Sequence, residues 1–250
     1  MQANKKIYFA SDFHLGVPTF ELSLVREKKI VRWLDSIKTD AEEVYLVGDI
    51  FDFWWEYKYT IPKGQTRLLG KIAELTDSGI KVHFFTGNHD LWMRDYFIQE
   101  LGVTVNHAPI KKIYNHKSFL IGHGDGLGPG DKWYKFLKKC FKNPFLIWCF
   151  NALHPNIGFW IARRSSKRSR IITGDSDKQF LGEDNEWLMS YCKELSKKEH
   201  TDFYIFGHRH LPLDLKATPT SRYINLGEWI NDCSYAVFDG EKLELKTFEG

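Results

Sequence analysis

A chain of 250 residues with 43% apolar and 27% charged side chains is ordinary for a globular protein, long enough to bury one large core as a single domain with an insertion or as two domains. Its four cysteines (Cys140, Cys149, Cys192, Cys233) form no CxxC pair and no regular spacing, which argues against structural zinc and for free cytosolic thiols. The net charge is only +3, yet ten Lys or Arg and a single acid between Asp131 and Arg170 give that stretch +9, a segregation that points to a basic surface facing something anionic.

In chain order, residues 6–10 (KIYFA) read as a first strand ending at Ser11-Asp12-Phe13-His14. The apolar run behind Lys5 and Lys6 is too short for a signal-peptide core, so the protein is expected to stay inside the cell. Leu22, Val25, Ile30, Trp33, Leu34 and Ile37 recur at helical spacing and predict a covering helix over 22–37. Residues 43–47 form a buried strand that delivers Gly48-Asp49-Ile50-Phe51-Asp52. A helix over 65–75 stops at Asp77-Ser78-Gly79, and a third strand over 80–85 opens onto Gly87-Asn88-His89-Asp90. Strands alternating with helices in this way predict βαβ units. Beyond Gly102, short strands around 103–105, 110–114 and 118–121 lead into Gly122-His123-Gly124-Asp125, and residues 126–180 read as an insertion. A helix near 185–195 follows, then a strand over 202–206 that runs into Gly207-His208-Arg209-His210. Strand-like pieces around 213–216, 222–225, 235–238 and 243–248 are expected to complete a second sheet.

Apolar runs therefore end repeatedly on short polar clusters: Asp12/His14, Asp49/Asp52, Asn88/His89/Asp90, His123/Asp125 and His208/His210. Carboxylate, amide and imidazole donors together suit borderline divalent ions, and the lack of cysteine argues against a soft thiolate site. Residues i and i+2 of a strand share a face, which predicts that Asp12 with His14, and His208 with His210, project toward one centre. Asp49 lies at the carboxyl end of a buried strand, where open α/β sheets bind ligands, and its two oxygens can bridge two ions.

These five motifs, in this order and reaching from residue 12 to 210, resemble those of the calcineurin-like metallophosphoesterases. The resemblance implies an α/β fold, a four-layer α/β/β/α sandwich, formed here by residues 1–125 and 181–250, with 126–180 as an inserted helical lid of basic and apolar character. It implies two divalent metal ions, one held by Asp12, His14, Asp49 and His210, the other by Asp49, Asn88, His123 and His208. Water activated between such ions attacks phosphorus in line. His89, oriented by Asp52, is implied as the group that stabilises the transition state or protonates the leaving oxygen. Asp90 and Asp125 are expected to orient neighbouring ligands.

Within the insertion, Trp133, Phe136, Leu137 and Phe141 share one helical face with lysines on the others, residues 144–150 are apolar nearly all round, and RRSSKRSR follows at 163–170. Asn151, His154, Pro155 and Asn156 interrupt the apolar stretch, so it is not a membrane span. Two readings stand: a helical hairpin packed on the main domain with solvated lysines, or a lid that offers apolar surface to acyl chains and cations to phosphates or an anionic bilayer. So dense an apolar run suits a lipid pocket better than a stacking platform for nucleic acid.

His123-Gly124-Asp125 followed by Asp131, Ile161-Ala162-Arg163 before Ser166-Lys167, and Leu226-Gly227-Glu228-Trp229 are similar to the UDP-2,3-diacylglucosamine diphosphatase family of lipid A synthesis. That resemblance implies Mn²⁺-dependent hydrolysis of a UDP-linked acylated sugar to UMP and 2,3-diacylglucosamine 1-phosphate, by a cytoplasmic enzyme peripheral on the inner membrane surface. Neither nucleic acid nor an obligate protein partner is expected. Positions matching the family's substrate contacts are Asn88, Asp131, Ser166, Arg170 and His208, with Arg163 a further candidate for a phosphate. The chain departs from that family at His89 (arginine there), Asp52 (glutamate there) and Thr173 (lysine there). The first two restore the general phosphoesterase pair, which leaves open a dinuclear-metal phosphodiesterase or nucleotide pyrophosphatase with a different, soluble substrate.

Overall fold

The computed structural model describes residues 5–128, 132–173, 180 and 182–250, without the side chains of 132, 133, 163, 167–173 and 184. The first half of the chain forms β1 (Lys6–Ala10), α1 (Phe20–Ile37), β2 (Ala41–Val47), α2 (Thr66–Asp77), β3 (Lys81–Phe85), α3 (Tyr96–Gln99), β4 (Thr104–Asn106), β5 (Ile110–Tyr114) and β6 (Lys117–Ile121). Three helices follow, α4 (Lys132–Phe141), α5 (Pro144–Asn151) and α6 (Pro155–Thr173). The chain closes with α7 (Trp187–Ser196), β7 (Phe203–Phe206), β8 (Pro212–Thr218), β9 (Ser221–Leu226), β10 (Ser234–Phe238) and β11 (Leu243–Thr247).

The strands form two sheets, ordered β11-β10-β1-β2-β3-β4 and β5-β6-β7-β9-β8. β1 to β4 are parallel neighbours, as the βαβ pattern predicts. The C-terminal strands depart from expectation, because only β8 and β9 join the second sheet. β10 instead runs antiparallel along β1, and β11 pairs with β10, so both extend the first sheet. The physical reason is edge satisfaction: β1 is buried, and without β10 its outer N–H and C=O groups would lack partners.

Side-chain alternation sorts each central strand into two cores. Ile7 and Phe9 of β1, Tyr45 and Val47 of β2, Phe119 and Ile121 of β6, and Phe203 and Ile205 of β7 meet between the sheets. Tyr8, Ala10, Val44 and Leu46 face the other way, onto Trp33, Leu34, Leu68 and Ile72 of α1 and α2. Leu120, Tyr204 and Phe206 pack against Leu188, Met189 and Cys192 of α7. Three cores between four layers make the α/β/β/α sandwich, and strands buried on both faces explain the continuous apolar runs.

The apolar stripe of α1 is correct only in its second half. Ile30, Trp33, Leu34 and Ile37 are buried, but Leu22 and Val25 are 55% and 65% exposed while Ser23, Arg26 and Glu27 turn inward. These polar groups brace the loops that follow the strands. Arg26 donates to the carbonyls of Phe13, His14 and Val17 at 2.8, 2.7 and 2.5 Å. Ser23 accepts from Gly16 N, and Glu27 accepts from Arg67 N and Leu68 N at the start of α2.

The helices between β6 and α7 touch the main body through aromatic and polar anchors. Trp55 Nε1 donates to Asn151 Oδ1 and Trp92 Nε1 to the Phe141 carbonyl, each at 3.0 Å, and Phe53 packs edge-on to Phe159. Asp125 accepts from Tyr134 and Lys138 of α4, both at 2.5 Å. α5 is apolar along nearly its whole length yet has no buried residue; Phe145 and Trp148 are 67% and 66% exposed. No helix among the described residues is long and apolar enough to cross a membrane.

Candidate metal centre

The strands deliver the site but do not contain it. β1 ends at Ala10 and β7 at Phe206, so Asp12, His14, His208 and His210 lie in turns beyond the strand ends rather than on a shared strand face. Their convergence comes from left-handed backbone instead: φ is 56°, 46°, 52°, 72° and 50° at Asp12, His14, Asp49, His208 and His210. Non-glycine residues rarely adopt this region, and such strain collects at functional sites where the surroundings enforce it. Enforcement here is a backbone ladder between the two loops, with Asp12 N on Gly48 O at 3.0 Å, His14 N on Asp49 O at 2.9 Å and Leu15 N on Ile50 O at 3.0 Å.

Two glycines make room for the carboxylates. A Cβ at Gly87 would stand 2.2 Å from Asp49 Oδ1, and one at Gly207 would stand 2.5 Å from Asp12 Oδ2. The residues that follow use that closeness: His89 N donates to Asp49 Oδ1 and His208 N to Asp12 Oδ2, each at 2.9 Å. Asp90 ties the Asp49 and Asn88 loops together by accepting from the backbone N–H groups of Gly87, Asp49, Ile50 and Phe51. Burial and the neighbouring Asp49 charge push its carboxyl up to about 7 against the pull of those donors.

Among the described residues, donor atoms converge to within 4.8 Å of one another in three groups: Asp12/His14/His210, His14/Asp49/His89 and Asp49/His123/His208. Asp49 belongs to two of them. Asn88 joins the last through Oδ1, 3.4 Å from His123 Nε2. The sequence-predicted ligands Asp12, His14, Asp49, Asn88, His123, His208 and His210 are thus brought together around two buried carboxylates.

The donor set fits divalent cations. In the first group His14 Nε2 and His210 Nε2 are 3.0 Å apart, and lie 3.5 and 3.1 Å from Asp12 Oδ1. Asp12 Oδ1 is buried with no hydrogen-bond partner among the described residues. Burial alone would raise Asp12, yet the adjacent His14 and His210 hold it far below the usual carboxylate range. Burial lowers His14 to about 3, keeping it neutral with a lone pair to offer. In the last group His123 Nδ1 donates to the Val47 carbonyl at 2.9 Å, leaving Nε2 3.4 Å from Asp49 Oδ2. Burial opposes charge on His123, but the Asp49 carboxylate overrides it and raises the imidazole to about 10, so the field at Nε2 favours a cation.

His89 and Asp52 meet differently from the expected carboxylate–imidazole pair. His89 Nδ1 donates to the main-chain carbonyl of Asp52 at 2.9 Å, and the nearer carboxylate oxygen is 3.7 Å away. Both carboxylate oxygens of Asp52 instead accept from Ser166 Oγ of α6 at 3.0 Å. Of the other substrate-contact positions, Asp131 lies outside the described residues, as do the side chains of Arg163 and Arg170. Among the described residues, Asp125 accepts from Tyr134 and Lys138 of α4 rather than from a candidate ligand.

Sequence reasoning missed Arg26, the four backbone donors on Asp90, and the buried pair in which Arg209 Nε donates to Glu186 Oε2 at 3.1 Å. Only Arg209 carried a signal, by standing between two candidate ligands.

A family model for calcineurin-like phosphoesterase matches residues 5–212. A UDP-2,3-diacylglucosamine hydrolase of Porphyromonas gingivalis is 39% identical over 256 residues, covering 98% of each chain. Proteins of the same name from Vibrio vulnificus and Ectopseudomonas mendocina are 27% and 26% identical, covering 96% and 97% of this chain and 97% and 98% of their own.

Proposed function

The chain belongs to the calcineurin-like phosphoesterase family and is a metal-dependent hydrolase of a phosphate bond; on that premise we propose that its substrate is UDP-2,3-diacylglucosamine, cleaved at the pyrophosphate to UMP and 2,3-diacylglucosamine 1-phosphate for lipid A. The observation that carries this proposal is the end-to-end match to the Porphyromonas protein at 39% identity. The match spans 98% of this chain, a length that takes in the inserted helices as well as the motifs, and those helices are the part that would meet a lipid.

In this proposal Asp12, His14, Asp49 and His210 hold one Mn²⁺, and Asp49, Asn88, His123 and His208 hold a second. Bound there, the two cations supply the charge that activates water and offsets charge gathering on the phosphoryl oxygens. The chain's own groups do the positioning. Asp49 shares its carboxylate between the two sets of donors. His89 has its Nδ1–H committed to the Asp52 carbonyl, so it would protonate the departing phosphate oxygen from Nε2 in its imidazolium form, which carries a second proton there and returns to neutral imidazole.

Residues 126–180 act as a lid that excludes water, with Asp131, Arg163, Ser166 and Arg170 meeting substrate beside Asn88 and His208. The exposed Phe145, Trp148, Ile157 and Trp160 support contact with acyl chains and with the cytoplasmic face of the inner membrane, and the basic stretch supports contact with anionic headgroups.

Purified protein given Mn²⁺ and UDP-2,3-diacylglucosamine in detergent micelles should release UMP, followed by chromatography. Turnover of simple phosphodiesters with no UMP release would eliminate this substrate. For the membrane contact, Phe145→Ser combined with Trp148→Ser should lower cosedimentation with anionic vesicles about tenfold or more, since each buried apolar side chain contributes about 1.5–3 kcal/mol. Unchanged cosedimentation would remove the membrane from the proposal and leave the chemistry standing.

A further inference from the structure

Away from the donor clusters, a cavity of about 330 Å³ opens where the loop after β2 meets the end of α5. Its walls are Tyr57, Lys58, Tyr59, Thr60, Arg94 and Asn151, none of them a candidate metal ligand or substrate contact. That volume lies within the range of small-ligand sites. The walls are tied down from several sides. Tyr57 N donates to the Thr60 carbonyl at 3.0 Å, which closes the turn, and Trp55 bridges to Trp92 in the loop after β3. Asn151 Oδ1 accepts from Trp55 Nε1 at 3.0 Å and so fixes the end of α5 against the loop. The Arg94 guanidinium lies over the Trp55 ring, 5.5 Å from its centroid, and Lys58 Nζ stands 5.0 Å from that of Tyr59.

Both cations lack a counter-charge: neither takes part in an ion pair among the described residues. The Glu56 carboxylate, close by in the chain, is already engaged. Its Oε1 accepts from Trp54 Nε1 at 3.0 Å, and its Oε2 accepts from the backbone N–H groups of Arg94, Asp95 and Tyr96 at 2.9, 2.9 and 3.2 Å. Two uncompensated cations backed by aromatic rings in a concave site suit an oxyanion such as phosphate. The approach to the cavity narrows the choice. Phe145, Trp148 and Asn151 follow one another three residues apart along α5, so they form one row on its surface. The Phe145 and Trp148 rings stack at 6.1 Å and are both exposed, and the row ends at Asn151 in the cavity wall. At 1.5 Å per residue the row is about 9 Å long. An apolar row that leads to a pair of cations matches the parts of an amphiphile in order, chain first and phosphate last.

We propose that this cavity holds the phosphodiester headgroup of an anionic bilayer lipid, with the acyl chains lying along Phe145 and Trp148. The inference deepens the proposed membrane contact and rests on it. It assigns the headgroup to Lys58 and Arg94 of the sandwich loops rather than to the basic stretch of α6. A lipid seated in this way bridges α5 and the loops after β2 and β3, the loops that carry Asp49 and Asn88.

The test is native mass spectrometry of the full chain with dihexanoyl phosphatidylglycerol, a short-chain phosphodiester lipid, below its micelle concentration. Lys58→Gln combined with Arg94→Gln should weaken its retention about twentyfold, a factor of about five for each cation lost. Lys197→Gln combined with Lys198→Gln removes the same charge just beyond α7 and should leave retention within about twofold. Glycerol 1-phosphate, which has no chains, should not be retained. Equal weakening in the two charge variants would reduce the effect to net charge and overturn the site. Retention of glycerol 1-phosphate as tight as that of the lipid would make the occupant a free phosphate and overturn the lipid assignment. Lost turnover of UDP-2,3-diacylglucosamine in detergent micelles, with retention of phosphatidylglycerol unaltered, would give the cavity to the substrate instead. Cosedimentation with phosphatidylglycerol vesicles separates this failure from that of the membrane contact. If the wild-type chain and the Lys58/Arg94 variant sediment alike, the headgroup site is wrong and the membrane contact stands; if the wild-type chain stays in the supernatant, the membrane contact itself fails.

Discussion

Asp49→Ala should lower turnover about a thousandfold or more, because charge stabilisation by bound cations is worth several kcal/mol and each ~1.4 kcal/mol is a factor of ten in rate. The size follows from position. Asp49 is 1% exposed, stands in two of the three convergent donor groups, and keeps its oxygens near His89 N on one side and His123 Nε2 on the other. Its loss takes a donor from both sets at once, whereas Asp12→Ala would empty only the set it shares with His14 and His210. Metal analysis after dialysis should find about two equivalents per wild-type chain and one or fewer in Asp49→Ala. Two equivalents retained in the variant, with activity near wild type, would contradict a shared carboxylate.

Glu186→Ala should destabilise the fold by about 3–5 kcal/mol, the range for removing one member of a buried ion pair, read as a lowered urea midpoint. Glu186 is 1% exposed and accepts from Arg209 Nε at 3.1 Å and from Tyr223 Oη at 3.3 Å. Arg209 is 7% exposed and lies between His208 and His210, so disturbing it should also weaken metal retention. Glu186→Gln preserves an acceptor for Arg209 and should cost less. A midpoint equal to wild type in Glu186→Ala would show the pair to be energetically neutral.

The helices between β6 and α7 expose apolar side chains and also reach the loops of the candidate site. In α5, Phe145, Leu146 and Trp148 stay exposed, while Ile147, Cys149 and Phe150 are half-buried and Phe150 packs on Trp55. Their polar anchors reach Asp125 and Asp52, both in loops that carry candidate donors. The exposed apolar side chains of α5 and the hydroxyl that reaches Asp52 from α6 thus belong to consecutive helices.

Much of the fold was legible because two short-range rules suffice for it. Runs such as KIYFA and FYIF are apolar without alternation, which only a strand covered on both faces explains, and the cores on either side of β1 and β7 bear this out. The polar clusters at the ends of those runs marked the site residue by residue. Period alone could not say that the first turns of α1 roll Arg26 and Glu27 inward, since the demand for donors there comes from loops that lie elsewhere in the chain. Nor could it assign β10 and β11 to the first sheet, an outcome decided by which edge needs closing.

The sequence by itself determined the chemistry on offer: carboxylates, an amide and imidazoles at the ends of buried strands, with glycines before Asp49, Asn88, His123 and His208, and a basic, apolar segment between them. Those are properties of side-chain type and local spacing, which survive without knowledge of neighbours. Tertiary structure decided how they are aimed. Left-handed backbone at Asp12, His14, Asp49, His208 and His210 is unfavourable in an isolated chain; the ladder between adjacent loops braces the first three and the Asp12 carboxylate accepts from His208 N, and the pairing of Asp52 with Ser166 exists only where α6 is folded back onto the sandwich.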